Sequence, residues 1–465
     1  MKFNSTGLIG PQPAHAERLF TSLVTNGFAL DISCTGSGKT YCAAAISREL
    51  NLPVVLIAPK TVLGTWTRIF NSFGVNPKVI VNYELLARGN TPYMKFKRQR
   101  NPTNLPGNDN RELLPDFRLP KNSLVILDEG HRCKGNDTIN SQMLINLVQK
   151  QYKVLFISAT SVCSVLDMRG LGFLLQLHSL FDFKEYCLAN GAQWLGQWGA
   201  LTLNPDDLAA KRGMMALHDY IFNVKKCASR MSREDFGDLF PESQIVADTF
   251  DLGSNSPKIQ KVYSDMEYEL GKLESSCENY RDHIFAILMA ARRQAELLKV
   301  PLFCEKIEDL YDEGKSIVLF VNFQDTIDAV FIRLNKLNKF KDKICFVIGN
   351  QTADDRVSAI SDFQNDSKRI CLSNIAAGGV AISLHDVTGK HARASIISPT
   401  WSAQACSQAI GRIWRQGGLS KSYQIICYAA KCIEEQICSR VRMKLGNLET
   451  LHDGDLCESP EWILG

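Results

Sequence analysis

The segment Thr35-Gly36-Ser37-Gly38-Lys39-Thr40 lies between the apolar run Phe28 to Ser33 and the helical run Ala43 to Leu50. A strand, a glycine-bearing turn and a helix in that order leave few folds open, because the turn must present its amides to one point ahead of the helix. Glycines let the backbone wrap phosphate oxygens, and the helix N-terminus adds partial positive charge. In that frame Lys39 neutralises β- and γ-phosphates and Thr40 holds Mg²⁺, so ATP and Mg²⁺ are the ligands implied. Thr35, Gly36, Ser37 and Gly38 supply the cradle. Ser33 stands where the full phosphate-loop pattern has its first glycine.

Short apolar runs bounded by turn residues recur at Val54 to Ala58, Val79 to Asn82, Leu124 to Leu127 and Val154 to Ile157. Amphipathic stretches separate them, which reads as a doubly wound α/β lobe over residues 1–245. Between about 165 and 230 Leu/Phe-rich helical patterns such as Gly170 to Phe183 replace the strands, predicting a helical insertion. A helical linker or protrusion is expected over 246–300. Strands resume at Ser316 to Val321, Ile344 to Ile348, Arg369 to Leu372, Ala394 to Ile397 and Tyr423 to Tyr428, predicting a second α/β lobe over 301–450 with a closing helix from Glu434. Residues 451–465 read as a short tail. The basic run Lys95 to Arg100, followed by a Pro/Asn-rich stretch to Asn110, reads as a solvated loop ahead of the alternative, a phosphate contact.

Leu127-Asp128-Glu129-Gly130-His131 ends the Leu124 strand, about ninety residues beyond the phosphate loop. An isolated Asp-Glu pair is ordinarily a solvated strand end, but here Asp128 is placed to hold Mg²⁺ and Glu129 to orient and deprotonate the attacking water. Ser158-Ala159-Thr160 follows the next strand, where small hydroxyl residues link the acidic motif to substrate movement. In the second half Gln408 leads into Arg412 and Arg415, three apart on an expected helical face. With an ATP site one lobe away, arginine fingers outrank surface ion-pairing as their reading.

With 53 basic and 49 acidic residues, the net charge of +4 demands no acidic partner, so any nucleic-acid surface must be local. The 15 cysteines contain no C-x-x-C pair, which predicts free thiols and no structural zinc. No apolar run approaches the length of a membrane span or signal peptide, so a soluble, intracellular protein is expected.

These motifs resemble the superfamily two helicases, and within them the Snf-type translocases, nearest the annealing-helicase branch. Lys60, Thr61 and Trp66 in Ala58 to Trp66 match the segment after the second strand, and Tyr83 in Asn82 to Leu86 matches the next DNA-facing motif. Arg230 to Glu242 is similar to the basic segment closing the first lobe, and Ala295 to Pro301 to the annealing branch. Gly349-Asn350-Gln351-Thr352 with Arg356, then Ala377-Gly378-Gly379, keep the family's order. The resemblance implies two RecA-like lobes, with Glu129, Gln408, Arg412 and Arg415 catalytic and Gly379 at the nucleotide. It makes Lys60, Thr61, Trp66, Tyr83, His131, Ser158, Thr160, Asn350, Arg356 and Trp401 coupling or nucleic-acid contacts. The adenine-reading glutamine has two candidates, since Gln12 has the identity and His15 the more usual distance from Lys39. Ser161, Ala381, Ser383, Ser402, Ala403, Trp414 and Gly418 depart from the pattern at positions of DNA grip and coupling. Pro399 to Gln404 is similar to viral members, implying a viral or phage source and a host cytoplasm or nucleus. The expected function is ATP-driven translocation on double-stranded DNA, remodelling or annealing it, with protein partners for targeting. A strand-separating RNA or DNA helicase is the alternative, and an ATP-gated clamp with little turnover is the alternative of another class.

Overall fold

The computed structural model describes residues 3–89, 91–100, 111–135, 138–159, 164–195, 200–204, 208–232, 234–239, 243–250, 255–272, 280–375, 382–400, 402–415, 417–429 and 434. The chain divides into two units, the first running through Gly237 and the second beginning at Asp238.

In the first unit the apolar runs become β1 (Phe28–Asp31), β2 (Val54–Ile57), β3 (Val79–Val81), a hairpin of β4 (Met94–Arg100) and β5 (Arg111–Phe117), β6 (Leu124–Asp128) and β7 (Lys153–Ile157). A small pair, β8 (Gln193–Leu195) and β9 (Ala200–Thr202), and a short β10 (Ala228–Ser229) follow. The main sheet has the order β10-β1-β7-β6-β2-β3 and every pairing in it is parallel. Strands covered by helices on both faces need apolar residues at successive positions, and β1 and β2 are buried along their whole length. The helix Leu63–Ser72 buries Trp66, Ile69 and Phe70, the i, i+3, i+4 stripe of an amphipathic helix.

The second unit holds β11 (Ser243–Phe250), β12 (Ser316–Val321), β13 (Ile344–Val347), β14 (Ile370–Asn374), β15 (Arg393–Ile397) and β16 (Ser422–Ala429). Their order is β11-β16-β15-β12-β14-β13, again all parallel. The architecture is thus the expected one: two doubly wound parallel-sheet lobes.

Four local expectations need correction. The stretch 165–230 is not purely helical, since it contributes β8, β9 and the edge strand β10. β11 belongs to the second sheet and the unit boundary falls at Gly237, so residues read as lobe one and linker build lobe two instead. Lys95 to Arg100 forms a hairpin strand, paired antiparallel with β5 from Met94↔Phe117 to Arg100↔Arg111. The helix Ala403–Ile410 ends before the arginines, with Gly411 N donating to the Ser407 and Ala409 carbonyls, which leaves Arg412 and Arg415 beyond it rather than on a helical face. The expected closing helix lies outside the described residues except for Glu434.

Candidate functional site

Register brings the motifs of the first lobe to one level. Ile157 on β7 pairs with Asp31 on one side and Asp128 on the other, so the phosphate loop after β1 and the acidic motif after β6 flank the end of β7. This is the carboxyl edge of a parallel sheet, where ligands sit in such folds.

The loop is shaped for phosphate. Gly36 and Gly38 have φ of +84° and +82°, which side-chain-bearing residues rarely adopt. A Cβ at Gly38 would stand 2.3 Å from Gln12 Nε2. Lys39 opens the helix Lys39–Leu50, and its Nζ donates to the carbonyls of Ser33 at 2.9 Å and Cys34 at 2.8 Å, holding the ammonium over the loop. Ser33, the departure from glycine, uses its side chain: Oγ accepts from Met231 N at 2.9 Å and ties the loop to the chain beyond β10. Thr40 is half-buried in the first turn of that helix. The donor types present, loop amides, an ammonium, a hydroxyl and a carboxylate, fit a nucleotide triphosphate with a hard divalent cation.

The two adenine-reading candidates separate. His15 is 2% exposed, with Nδ1 2.8 Å from Ser229 Oγ and Nε2 3.1 Å from Asp31 Oδ2. Both ring nitrogens are thus engaged inside the lobe, and the expectation that His15 reads a base fails on that ground. Gln12 lies against the loop, donating from Nε2 to the Ser37 carbonyl at 3.0 Å and accepting from Ile9 N at 3.0 Å. Asp31 is buried, which raises a carboxyl pKa, but the charge and hydrogen bond of His15, with Lys39 nearby, hold it below the usual range.

The acidic motif is gripped from behind. Trp66 Nε1 donates to Asp128 Oδ2 at 2.7 Å and the Tyr83 hydroxyl donates to the Asp128 carbonyl at 2.9 Å. Trp66 is 1% and Tyr83 2% exposed, so neither ring presents a surface to a nucleic acid, against the expectation of a direct contact. Desolvation first, and then the Glu129 carboxylate, push the Asp128 carboxyl up to about 7, against the Trp66 hydrogen bond and Lys39. Glu129 has φ of +53°, a left-handed conformation costing a residue with a side chain about 1–2 kcal/mol, of the kind retained where a functional group must be aimed. Gly130 follows because a Cβ there would lie 2.6 Å from the Phe156 ring. His131 Nδ1 lies 3.3 Å from Glu129 Oε2 and 3.0 Å from Ser158 Oγ, joining the acidic motif to the end of β7. Burial lowers the His131 pKa despite that carboxylate.

Lys60 is exposed in the turn Lys60–Val62, which includes Thr61. In the second lobe Asn350 is exposed and Arg356 Nη2 donates to the Ile348 carbonyl at 2.7 Å. Gln408 is buried in the helix Ala403–Ile410. Arg412 is 2% exposed and its Nη1 donates to the Ile382 carbonyl at 3.2 Å, whereas Arg415 is half-buried, with Nε donating to the Gly411 carbonyl at 3.1 Å. Thr160, Gly379 and Trp401 lie outside the described residues. Among the described residues no helix is long and apolar enough to cross a membrane.

Residues 26–162 match the family described as type III restriction enzyme, res subunit, and residues 299–417 match the helicase conserved C-terminal domain. A protein of Acanthamoeba polyphaga mimivirus, described as an ATP-dependent RNA helicase, is 32% identical over 97% of this chain and 85% of its own length. A DNA repair and recombination protein RAD54-like of Drosophila grimshawi is 23% identical over 71% of this chain and 46% of its own. Among solved structures, S. cerevisiae Dbp5 bound to RNA and ADP BeF3 shares 12% identity and a TM-score of 0.47, covering 93% of this chain and 87% of that one.

Proposed function

Since the chain belongs to the superfamily two helicases and is a nucleic-acid-dependent ATPase, we propose that it is a translocase that tracks along double-stranded DNA and remodels or anneals it. The observation that carries the coupling is the double grip on Asp128. The segments holding Trp66 and Tyr83 are the ones that resemble the family's nucleic-acid-facing motifs, and both end on the acidic motif. A shift in either segment on binding nucleic acid moves the carboxylate.

Glu129 serves as base for the attacking water, with His131 orienting its carboxylate. Lys39 and the loop amides bind the phosphates, Gln12 is the adenine-reading residue, and Thr40 and Asp128 hold Mg²⁺. The metal, when bound, neutralises charge on the transferring phosphoryl group. Arg415 is the finger, and Arg412 anchors the turn that carries it.

The RAD54-like relative's description as a DNA repair and recombination protein favours DNA over RNA. The mimivirus relative's description favours a second reading, an RNA helicase. ATP turnover measured beside duplex DNA, single-stranded DNA and RNA tests the choice, together with displacement of a triplex-forming strand as a readout of translocation. Stimulation by duplex DNA with triplex displacement is expected. Stimulation by RNA alone overturns the DNA track.

A further inference from the structure

We infer that the β4–β5 hairpin is a built phosphate-backbone grip of the first lobe, a reading that rests on the nucleic-acid motor above. Its two strands carry five cations, Lys95, Lys97, Arg98, Arg100 and Arg111, against two carboxylates, Glu112 and Asp116. The whole chain is nearly balanced, so this excess is local. It deepens at the hairpin's foot. Asp116 is shared by Lys97 at 2.5 Å, Lys150 at 2.6 Å and Arg118 at 4.0 Å, one carboxylate facing three cations. Those lysines hold the Asp116 carboxyl below its usual range although burial opposes them. Among the described residues Lys95 and Arg98 have no carboxylate within ion-pairing distance, and both are exposed.

The mount is rigid where the charge is displayed. Met94 and Phe117 are buried in the lobe core at 0% and 1% exposure. Phe117 N donates to Asn146 Oδ1 at 3.0 Å, Lys150 Nζ to the Phe117 carbonyl at 2.5 Å, and Arg118 N to the Tyr93 carbonyl at 2.7 Å. The Phe96 ring lies over Gly89, where a Cβ would come within 2.4 Å of it, so the strand is seated on the chain just past the Tyr83 helix. An exposed strand pair that displays Lys95 and Arg98 on a fixed base fits a polyanion whose charges repeat along a line, the sugar-phosphate backbone. It loses little conformational entropy on binding.

The test compares the parent chain with K95A/R98A, sparing Lys97 because it serves the Asp116 clamp, and with the charge-conserving K95R/R98K. Thermal melts establish that each variant is folded. Fluorescence anisotropy with labelled duplex DNA, single-stranded DNA and duplex RNA is followed across salt. Two lost phosphate contacts are expected to reduce the slope of log affinity against log salt by about 1.8 for duplex DNA or about 1.4 for a single strand, and to weaken binding roughly 10- to 60-fold near 0.1 M salt. K95R/R98K is expected to keep the wild-type slope. The probe that loses affinity identifies whether DNA or RNA supplies the backbone. Wild-type affinity and slope in folded K95A/R98A, with the parent chain binding normally, overturn the hairpin grip alone. A parent chain that binds none of the three probes overturns the motor reading with it.

Discussion

Trp66→Phe isolates the link between the helix after β2 and the acidic motif. Phenylalanine keeps an aromatic ring against Phe70, whose centroid is 5.2 Å from that of Trp66, and removes only the indole donor to Asp128. A hydrogen bond from a buried donor to a charged acceptor contributes about 1.5–3 kcal/mol. Because it stabilises the ionised form, its loss raises the Asp128 pKa. The carboxyl already sits at about 7 through burial and the Glu129 charge. One pKa unit corresponds to about 1.4 kcal/mol, so at pH below the midpoint the lower bound reduces the ionised share of Asp128 about tenfold and raises the Mg²⁺ needed for half-maximal turnover by up to that factor. Above pH ~9 the two proteins converge, since both carboxyls are then ionised. Nucleic-acid-stimulated ATP turnover measured against Mg²⁺ concentration from pH 6.5 to 9 is the assay. An unchanged Mg²⁺ midpoint with an unchanged pH profile in folded Trp66→Phe would refute the claim that this bond sets the state of Asp128.

Glu129→Gln keeps size and hydrogen bonding but removes the base, so nucleotide affinity by filter binding should stay near normal while turnover falls on the order of 10²–10⁴. Lys39→Ala should weaken affinity and turnover together. Arg415→Ala is expected to lower stimulated turnover on the order of 10³ at near-normal nucleotide affinity, whereas Arg412→Ala, cutting into the buried anchor to Ile382, should show first as a lower melting temperature. His385 supplies a pH dependence: burial first, then Arg415 and Arg393, lower its pKa to about 4. The folded lobe thus binds fewer protons than the unfolded chain between about 4 and 6.5, and stability is lost as pH falls through that window. Roughly 1–2 kcal/mol is at stake for a half-buried ring, and melts of His385→Asn from pH 4 to 7 should be flatter than those of the parent chain.

The sheets were legible because parallel strands covered on both faces need unbroken apolar runs. The apolar run Ser316 to Val321 coincides with the strand it forms, and the other long strands differ from their apolar runs by a residue or two at the ends. The edges were not legible. β11 has only Ile245 to Ala247 as an apolar run, between Ser243-Gln244 and Asp248-Thr249, and β10 is two residues long, so both signals are short. The hairpin did leave a signal, the period-two alternation Met94, Lys95, Phe96, Lys97, which the density of charge obscured. Gly411 likewise announced a helix end ahead of the arginines. At the site, the phosphate loop and acidic pair are local in sequence and could be found there. The grip of Trp66 and Tyr83 on Asp128 joins positions 62 and 45 residues apart, and nothing in a linear pattern shows which way a buried ring points.

The proposed role of Arg415 makes a demand on the second lobe itself. A guanidinium stabilises developing charge only if its loop is fixed before the reaction begins. The Arg412–Arg415 turn is tied to the loop after Ile382 by Leu384 N donating to the Arg412 carbonyl at 2.9 Å, and by Leu419 N donating to the Asp386 carbonyl at 3.0 Å. The Asp386 carboxylate accepts from the amides of Thr388 and Gly389, each at 2.9 Å, and faces Arg393 of β15 at 3.9 Å. Arg393 in turn pairs with Asp366, so the turn is bolted to the sheet through buried charges. Two further clamps hold the same sheet. Glu296, 2% exposed, accepts from Asn322 N, Phe323 N, Thr326 Oγ1 and Ser398 Oγ, which joins the ends of β12 and β15 to the helix Tyr280–Leu298. Lys299 pairs with Glu434 at 2.8 Å, and Glu434 also accepts from Ala429 N at the end of β16. Buried ion pairs contribute little net stability beside apolar packing, so their presence is better explained by position than by strength. Each sits where a strand end must be held against a helix, and the first of them, through Asp386 and Leu384, fixes the turn that carries Arg415 to the sheet.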